Sequence, residues 1–298
     1  MRPAFRSWTH RMTTTLVVGP GRVGCALALA HRRAGESVLL LGRSAGPWQA
    51  WAEQTGLRTL LGAAAAPERA DQLLLALPDA GLEAGAAELA EVCAAALVVH
   101  TSGLHDLEVL APFVARGAAV AALHPILPFA ADPQTSLQGL AAATASLLAG
   151  AGAEARARAV AAVWGCAVQP VAPGADRSRY HLGLALAANH VTGLLGWAEK
   201  LVAPSLGAAA REVVSGLAAA AVERFREAGA AEALTGPVAR GDHLAVSAHL
   251  AALTGQEAAH YCALLEPLVA LALAAGRIDA AQAAALRAAL AQQTGTSS

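Results

Sequence analysis

Three short stretches hold the residue types that could do chemistry. In "VVGPGRVGCALA", Val17 to Ala28, the glycines Gly19, Gly21 and Gly24 take a GxGxxG spacing. Gly19 permits a tight turn, Gly21 lets the backbone approach a pyrophosphate, and Gly24 lets a helix pack close to a strand. Pro20, Arg22 and Val23 complete the turn, so the first N–H groups of the helix face an anion. In "LLLGRS", Gly42-Arg43-Ser44 carries no Asp or Glu to take a ribose 2′-hydroxyl. The Arg43 guanidinium and Ser44 hydroxyl suit a 2′-phosphate instead, which predicts NADP as cofactor. The third stretch, "EALTGPVARGDHL", interrupts alanine-rich helical text with a turn, Arg240 and Asp242. Arg240 could bind a carboxylate through two N–H groups; alternatively Asp242 is a helix cap and Arg240 its ion-pair partner.

The elements that must position these residues are legible from periodicity. The apolar run Thr15 to Val18 reads as a strand, Val23 to about Arg33 as a helix ending at Gly35, and Ser37 to Leu41 as a second strand. Further apolar runs, Leu73 to Leu77, Leu97 to His100 and one ending at His124-Pro125, read as parallel strands buried on both faces. Segments 141–148 and 167–171 read as final strands around a helix from Ala153 to Trp164. In open α/β sheets ligands lie beyond the strand C-termini. Leu77, Pro78, Thr101, Ser102 and His124 are therefore candidates to line the nicotinamide end of a cleft. His124 reads equally as a loop histidine bonded to backbone beside prolines.

After Gly174 the text turns helical. "ADRSRYHLGLALAANHVTGLLGWAEKLV" reads as seven turns with Asp176 as N-cap, placing His181 and Asn189 on roughly one face, where they could flank a substrate. Helices over 208–226, 256–275 and 279–291 follow. The expected organisation is a disordered extension (1–12), a dinucleotide-binding α/β domain with a doubly wound sheet (13–172), and an all-α domain for substrate binding and dimerisation (173–298).

Composition closes off other classes. The chain of 298 residues is 56% hydrophobic but 4% aromatic, with net charge −1 and no basic face interleaved with aromatics, so no nucleic-acid partner is expected. The longest uncharged stretch, 133–153, is too polar for a membrane span. Cys25, Cys93, Cys166 and Cys262 lie far apart, and the ten histidines show no ligand spacing, so buried reduced thiols, no metal and a cytoplasmic location are expected. The Arg-Gly-Asp tripeptide at 240–242 then carries no cell-adhesion meaning.

"VVGPGRVGCALA", "HTSG", "LHPILPF", "YHLGLALAANHVTGLL" and "LTGPVARGD" resemble a bacterial family of NADP-dependent oxidoreductases that join a Rossmann-like domain to a C-terminal helical domain of unknown function. That family is similar to the superfamily of 6-phosphogluconate dehydrogenase, pyrroline-5-carboxylate reductase and ketopantoate reductase. The resemblance implies a homodimer built through the helical half. It also implies a proton-donating lysine and two asparagines on the first C-terminal helix. If Asn189 matches the second asparagine, His181 stands at the lysine and Ala185 at the first asparagine. The leading expectation is an NADPH-dependent reductase of a small anionic 2-oxo acid resembling ketopantoate. His181, or second His124, would supply the proton, Asn189 would orient the carbonyl and Arg240 would bind the carboxylate. The alternatives are reduction of a C=N bond, or an NADP-binding regulator without turnover.

Overall fold

The computed structural model describes residues 12–294. The extension expected at 1–12 thus falls, apart from Met12, outside the described residues. The chain divides into two compact units, one reaching to Val191 and one from Thr192 onward.

The first unit is built on an eight-stranded sheet of order β3-β2-β1-β4-β5-β6-β7-β8. Its strands are β1 (Thr14–Val18), β2 (Ser37–Gly42), β3 (Arg58–Leu61), β4 (Arg69–Leu75), β5 (Ala94–His100), β6 (Ala119–Ile126), β7 (Thr144–Ala149) and β8 (Ala167–Pro170). All pairings are parallel except β6 with β7. The helices are α1 (Arg22–Arg33), α2 (Pro47–Gln54), α3 (Asp79–Val92), α4 (Ala111–Val114), α5 (Pro133–Leu140), α6 (Glu154–Trp164) and α7 (Arg177–Ala185). Alternate residues of β1 enter opposite cores: Val17 packs with α1 and α6, whereas Leu16 and Val18 pack with α3. Both faces of the sheet are covered, which is why its central strands read as unbroken apolar runs. The order reverses between β1 and β4, so a crevice opens there at the strand C-termini.

Two elements escape a periodicity reading. The edge strand β3 has a half-exposed sequence, Arg-Thr-Leu-Leu, with no hydrophobic alternation. The predicted seven-turn helix is α-helical only to Ala185; residues Leu186–His190 form a π turn before α8 (Val191–Leu206) continues. The strands end at Pro170, near the expected domain boundary, while the compact unit extends to Val191.

The second unit holds α9 (Ala210–Ala233), α10 (Gly236–Ala239), α11 (His243–Ala251), α12 (Gly255–Ala274) and α13 (Ala280–Thr294). Gly229, at φ 76°, interrupts α9. Val246, Leu250, Leu265, Val269 and Leu286 form the core of this unit. The stretches 177–233 and 255–274 are long and apolar enough to cross a membrane by length and composition. Of these, α12 buries Ala258, Leu265, Val269 and Ala272.

A buried polar knot ties β1, β4, α1 and α6 together at the strand N-termini. His31, fully buried, accepts from Trp164 Nε1 at its Nε2 (3.0 Å), so its proton sits on Nδ1, 2.8 Å from Glu36 Oε2. Thr15 and Gln72 also donate to that carboxylate oxygen. Burial pushes the Glu36 carboxyl up, but the bonds from His31, Thr15 and Gln72 outweigh it and hold it below the ordinary range. Trp164→Phe keeps the ring packing and orphans His31 Nε2, so it is expected to cost about 1–3 kcal/mol in urea unfolding. A loss under about 0.5 kcal/mol would remove this knot from the stability of the fold.

Candidate active site

The turn between β1 and α1 is set by two close backbone approaches. A Cβ on Gly24 would lie 2.0 Å from the Gly19 carbonyl oxygen, and one on Gly19, at φ 94°, would lie 2.4 Å from that of Ala76. Neither position accepts another residue without moving the strand, as the GxGxxG reading requires. Around Gly21 a Cβ would meet open space, so this glycine leaves room over the exposed first turn of α1. That turn carries no acidic residue, which leaves its N–H groups and the helix dipole free for an anion.

A cleft of about 1360 Å³ runs from this turn along the strand C-termini. At one end lie Arg43, Ser44 and Trp48, following β2. The Arg43 and Ser44 side chains are exposed, and Trp48 packs over Gly42 while its Nε1 donates to the Ser44 carbonyl at 3.2 Å. Gly19, Pro20, Gly21, Arg22 and Val23 line the middle. Leu77, Pro78, Asp79, Thr101, Ser102, Gly103, His124 and His181 line the other end. The residues present fit a dinucleotide whose phosphates lie at α1 and whose ribose lies at Arg43: backbone donors, glycines at the close approaches, and a cation with no carboxylate at the end of β2.

The hydroxyls of Thr101 and Ser102 are already engaged. Thr101 Oγ1 donates to the Leu75 carbonyl at 3.4 Å. Ser102 Oγ donates to Asp79 Oδ1 at 2.6 Å and accepts from the N–H groups of Leu104 and His105, both at 3.0 Å. These two residues therefore shape the loop after β5. Beyond them His124 and His181 converge on Gly103, where an added Cβ would lie 2.9 Å from His124 Cε1 and 3.0 Å from His181 Cδ2. His124 belongs to β6 rather than to a loop, and it stands opposite Ser146 of β7.

Three residues not foreseen from sequence stand behind the lining at this end: Tyr180, Ser146 and Arg177. The Tyr180 hydroxyl lies 2.7 Å from Ser146 Oγ and 3.1 Å from His124 Nδ1. Arg177, three residues before Tyr180 on α7, stacks its guanidinium 4.7 Å from the Tyr180 ring centre and donates to the Ser102 carbonyl at 3.3 Å. A polar triplet one turn inside an Asp176 cap was visible in "DRSRYH"; its partner Ser146 lies across a strand pairing that periodicity does not reveal.

Other expected site residues lie elsewhere. Asn189 is exposed on the π turn and is not among the cleft-lining residues. Asn189 itself lies within this π turn rather than on a regular α-helix, so the α-helical spacing from His181 does not apply to it. Arg240 belongs to the helical unit and is exposed there, its carbonyl accepting from Gln282 at 3.5 Å. Asp242 caps α11 by accepting from the Ala245 N–H at 3.0 Å, while no ion pair joins it to Arg240 among the described residues, so the alternative reading holds for the cap alone. Among the described residues no His/Cys/Asp/Glu group could hold a metal ion. The four cysteines are free, three buried and Cys262 half-buried; burial pushes the Cys25 and Cys166 thiols up to about 11.

Fold and cleft together define a dinucleotide-fold domain followed by a helical region. Residues 8–125 match the model of a Rossmann-like domain, and residues 143–267 match a Domain of unknown function (DUF2520). No curated protein matches the chain. Among solved structures the chain is similar to a "putative NADP oxidoreductase" from Bacteroides fragilis, with TM-score 0.72, 20% identity, and 87% of this chain and 98% of that one covered. It is similar to a pyrroline-5-carboxylate reductase from Coxiella burnetii (TM-score 0.55, 14% identity, 96% and 99% covered). It is also similar to a reductive aminase from Aspergillus terreus in complex with NADPH and ethyl-5-oxohexanoate (TM-score 0.56, 17% identity, 96% and 95% covered). At these identities the shared property is the fold, which is that of NADP(H)-dependent oxidoreductases.

Burial lowers the pKa of His124 to about 4, helped by the positive charge of Arg177 and by His181, while Asp79 opposes it. His100, fully buried, is likewise lowered to about 4 by burial, against the bond to the Asp106 carbonyl. Both imidazoles titrate near 6.5 in the unfolded chain, which therefore binds more protons between pH 6.5 and 4. Stability is expected to be full above about pH 6.5 and to fall towards pH 4 with a slope approaching two protons. Urea midpoints measured across that window check this; a flat profile from pH 7 to 5 would contradict it.

Proposed function

We propose that this protein is an NADPH-dependent reductase whose proton donor is His124. The observation that carries the reading is the pair of imidazoles at the nicotinamide end of a glycine-cradled cleft, one of them wired to Tyr180 and Ser146. Bound NADPH would supply the hydride, held by the α1 N-terminus with its 2′-phosphate at Arg43 and Ser44. The chain itself must orient a carbonyl and deliver a proton.

His124 is neutral at pH 7, so an imidazolium is not the acid. The Nε2 atom has no protein partner among the described residues, while Nδ1 faces the Tyr180 hydroxyl. A neutral ring can give its Nε2 proton to the developing alkoxide as Nδ1 takes one from Tyr180, whose hydroxyl must first turn to the ring from Ser146 Oγ, to which it donates. Solvent then restores Tyr180. His181 walls the same pocket and, with Gly103, fixes where the substrate carbon lies. Reduction of a C=N bond is the second reading: if Asn189 matches the second asparagine of related reductases, His181 replaces their lysine, and an imine that binds already protonated needs no proton donor at its nitrogen. The first substrate class to test remains 2-oxo acids of small size, in the cytoplasm.

NADPH oxidation against a panel of 2-oxo acids and cyclic imines tests this. His124→Gln is expected to lower kcat by about 10²–10⁴-fold, Tyr180→Phe by less, and Gly103→Ala to impair turnover while leaving NADPH affinity intact. Full activity in His124→Gln removes the proposed donor. Turnover of imines alone promotes the second reading, and NADPH binding without any turnover promotes a regulator.

We also propose that the helical unit pairs with a second copy of the chain. Helix α8 buries no residue and α9 only Ala210. Leu194 and Leu201, seven apart, and Val213 and Leu217, four apart, are 40–73% exposed, as is Phe225 at 59%. Ion pairs Arg211–Glu199 and Arg226–Glu223 interrupt this surface, which suits a rimmed protein interface better than a bilayer. Light scattering should give twice 29.9 kDa, and Leu217→Glu with Phe225→Glu should give the monomer. A wild-type monomer at micromolar concentration contradicts this.

A further inference from the structure

We propose that Arg177 anchors the carboxylate of the substrate beside His124. This assignment rests on the reductase reading for calling the ligand a substrate; the binding itself is independent of turnover.

The side chain of Arg177 is 7% exposed. Its Nε and Nη1 are the buried side-chain atoms without a hydrogen-bond partner among the described residues. Nη2 alone is engaged, by the Ser102 carbonyl. No carboxylate of the described residues lies within ion-pair distance of it. Buried guanidinium groups are paired, because removing the charge from water without compensation is costly. The Tyr180 ring offers a quadrupole and no acceptor for the N–H groups. Four of its five N–H donors, three of them on Nε and Nη1, and a full positive charge are therefore left for an anion.

The position fits a ligand rather than a structural ion pair. Arg177 stands one residue behind the cleft wall: Ser102, whose carbonyl it holds, lines the cleft, and Tyr180, whose ring it stacks on, is bonded to His124, which lines it too. A carboxylate therefore reaches the buried Nε and Nη1 by displacing part of that wall. The same charge is close enough to hold down the basicity of His100 and His124. A planar carboxylate matches the flat edge of a guanidinium, and its second charge-assisted bond would replace the missing partner. A 2-oxo acid presents its carbonyl one bond from that carboxylate, next to the ring proposed to protonate it. Arg240, the carboxylate clamp expected from sequence, has no comparable burial or unmet donors.

Calorimetric titration of the NADPH-loaded protein with oxamate, and with its neutral amide oxamide, tests this directly. Oxamate is expected to bind and oxamide not to. Arg177→Gln should weaken oxamate by on the order of 100-fold; Arg177→Lys should retain part of the affinity. Both should keep the wild-type NADPH affinity and cooperative unfolding. An NMR titration of the His124 ring adds a readout that a purely structural role would not move: saturating oxamate should raise its pKa in the wild type and in Arg177→Lys, by offsetting the neighbouring positive charge, and not in Arg177→Gln. Equal binding of oxamate and oxamide, no binding of oxamate, or undiminished binding in Arg177→Gln overturns the assignment. If oxamate binds as expected while no 2-oxo acid is reduced, the anion site stands and the reductase reading falls.

Discussion

The contact on which the rest depends is between two backbones. Gly24 sits where any Cβ would lie 2.0 Å from the Gly19 carbonyl, and Gly19 takes a φ of 94° against the Ala76 carbonyl. That closeness brings the first turn of α1 to the top of β1, beside β4, at the point where the strand order reverses. The helix N-terminus, the gap between strands and the loop ends of β4, β5 and β6 then open into one cleft. A bulkier residue at either glycine would push α1 off the sheet and displace the helix N-terminus and the strand-end loops of the cleft together.

Against that fixed frame the polar residues divide by end. Those at the strand N-termini, His31, Glu36, Thr15, Gln72 and Trp164, satisfy one another and lie apart from the cleft. Those at the C-termini are only partly satisfied: Asp79, Ser102 and His105 lock a loop, while His124 keeps a free ring nitrogen and Arg177 keeps free donors. Complete polar networks hold structure; incomplete buried ones are candidates for completion by a ligand. The difference separates a stability device from a site although both contain a buried histidine.

Much of this was readable in the amino acids. The glycine spacing, the continuous apolar runs of parallel strands and the change to helical text after Gly174 each have a local physical cause, so they are visible in one dimension. So was the absence of an acid after β2, and so was His124 at the end of a strand. What was not visible depends on pairing across the chain. Tyr180 matters because β6 and β7 place His124 opposite Ser146. Arg177 matters because the loop after β5 folds back to offer it a single carbonyl. Asn189 looked suitable on a regular helix, but the π turn at 186–190 breaks that regularity, and no composition rule signals it. Arg240 and Asp242 stood out only by contrast with their alanine-rich neighbours, and capping accounts for Asp242.

The central claim is that the cleft is a site for a 2′-phosphorylated dinucleotide, with the cradle at Gly19–Gly24 and the discriminating charge at Arg43. Titration of the protein with NADPH and NADH, followed by nicotinamide fluorescence, tests it most directly. The account predicts saturable one-to-one binding of NADPH, tighter than NADH by about tenfold or more, as expected for a charge-assisted contact to a phosphate. Equal affinity for the two, a preference for NADH, or no saturable binding of either would contradict it.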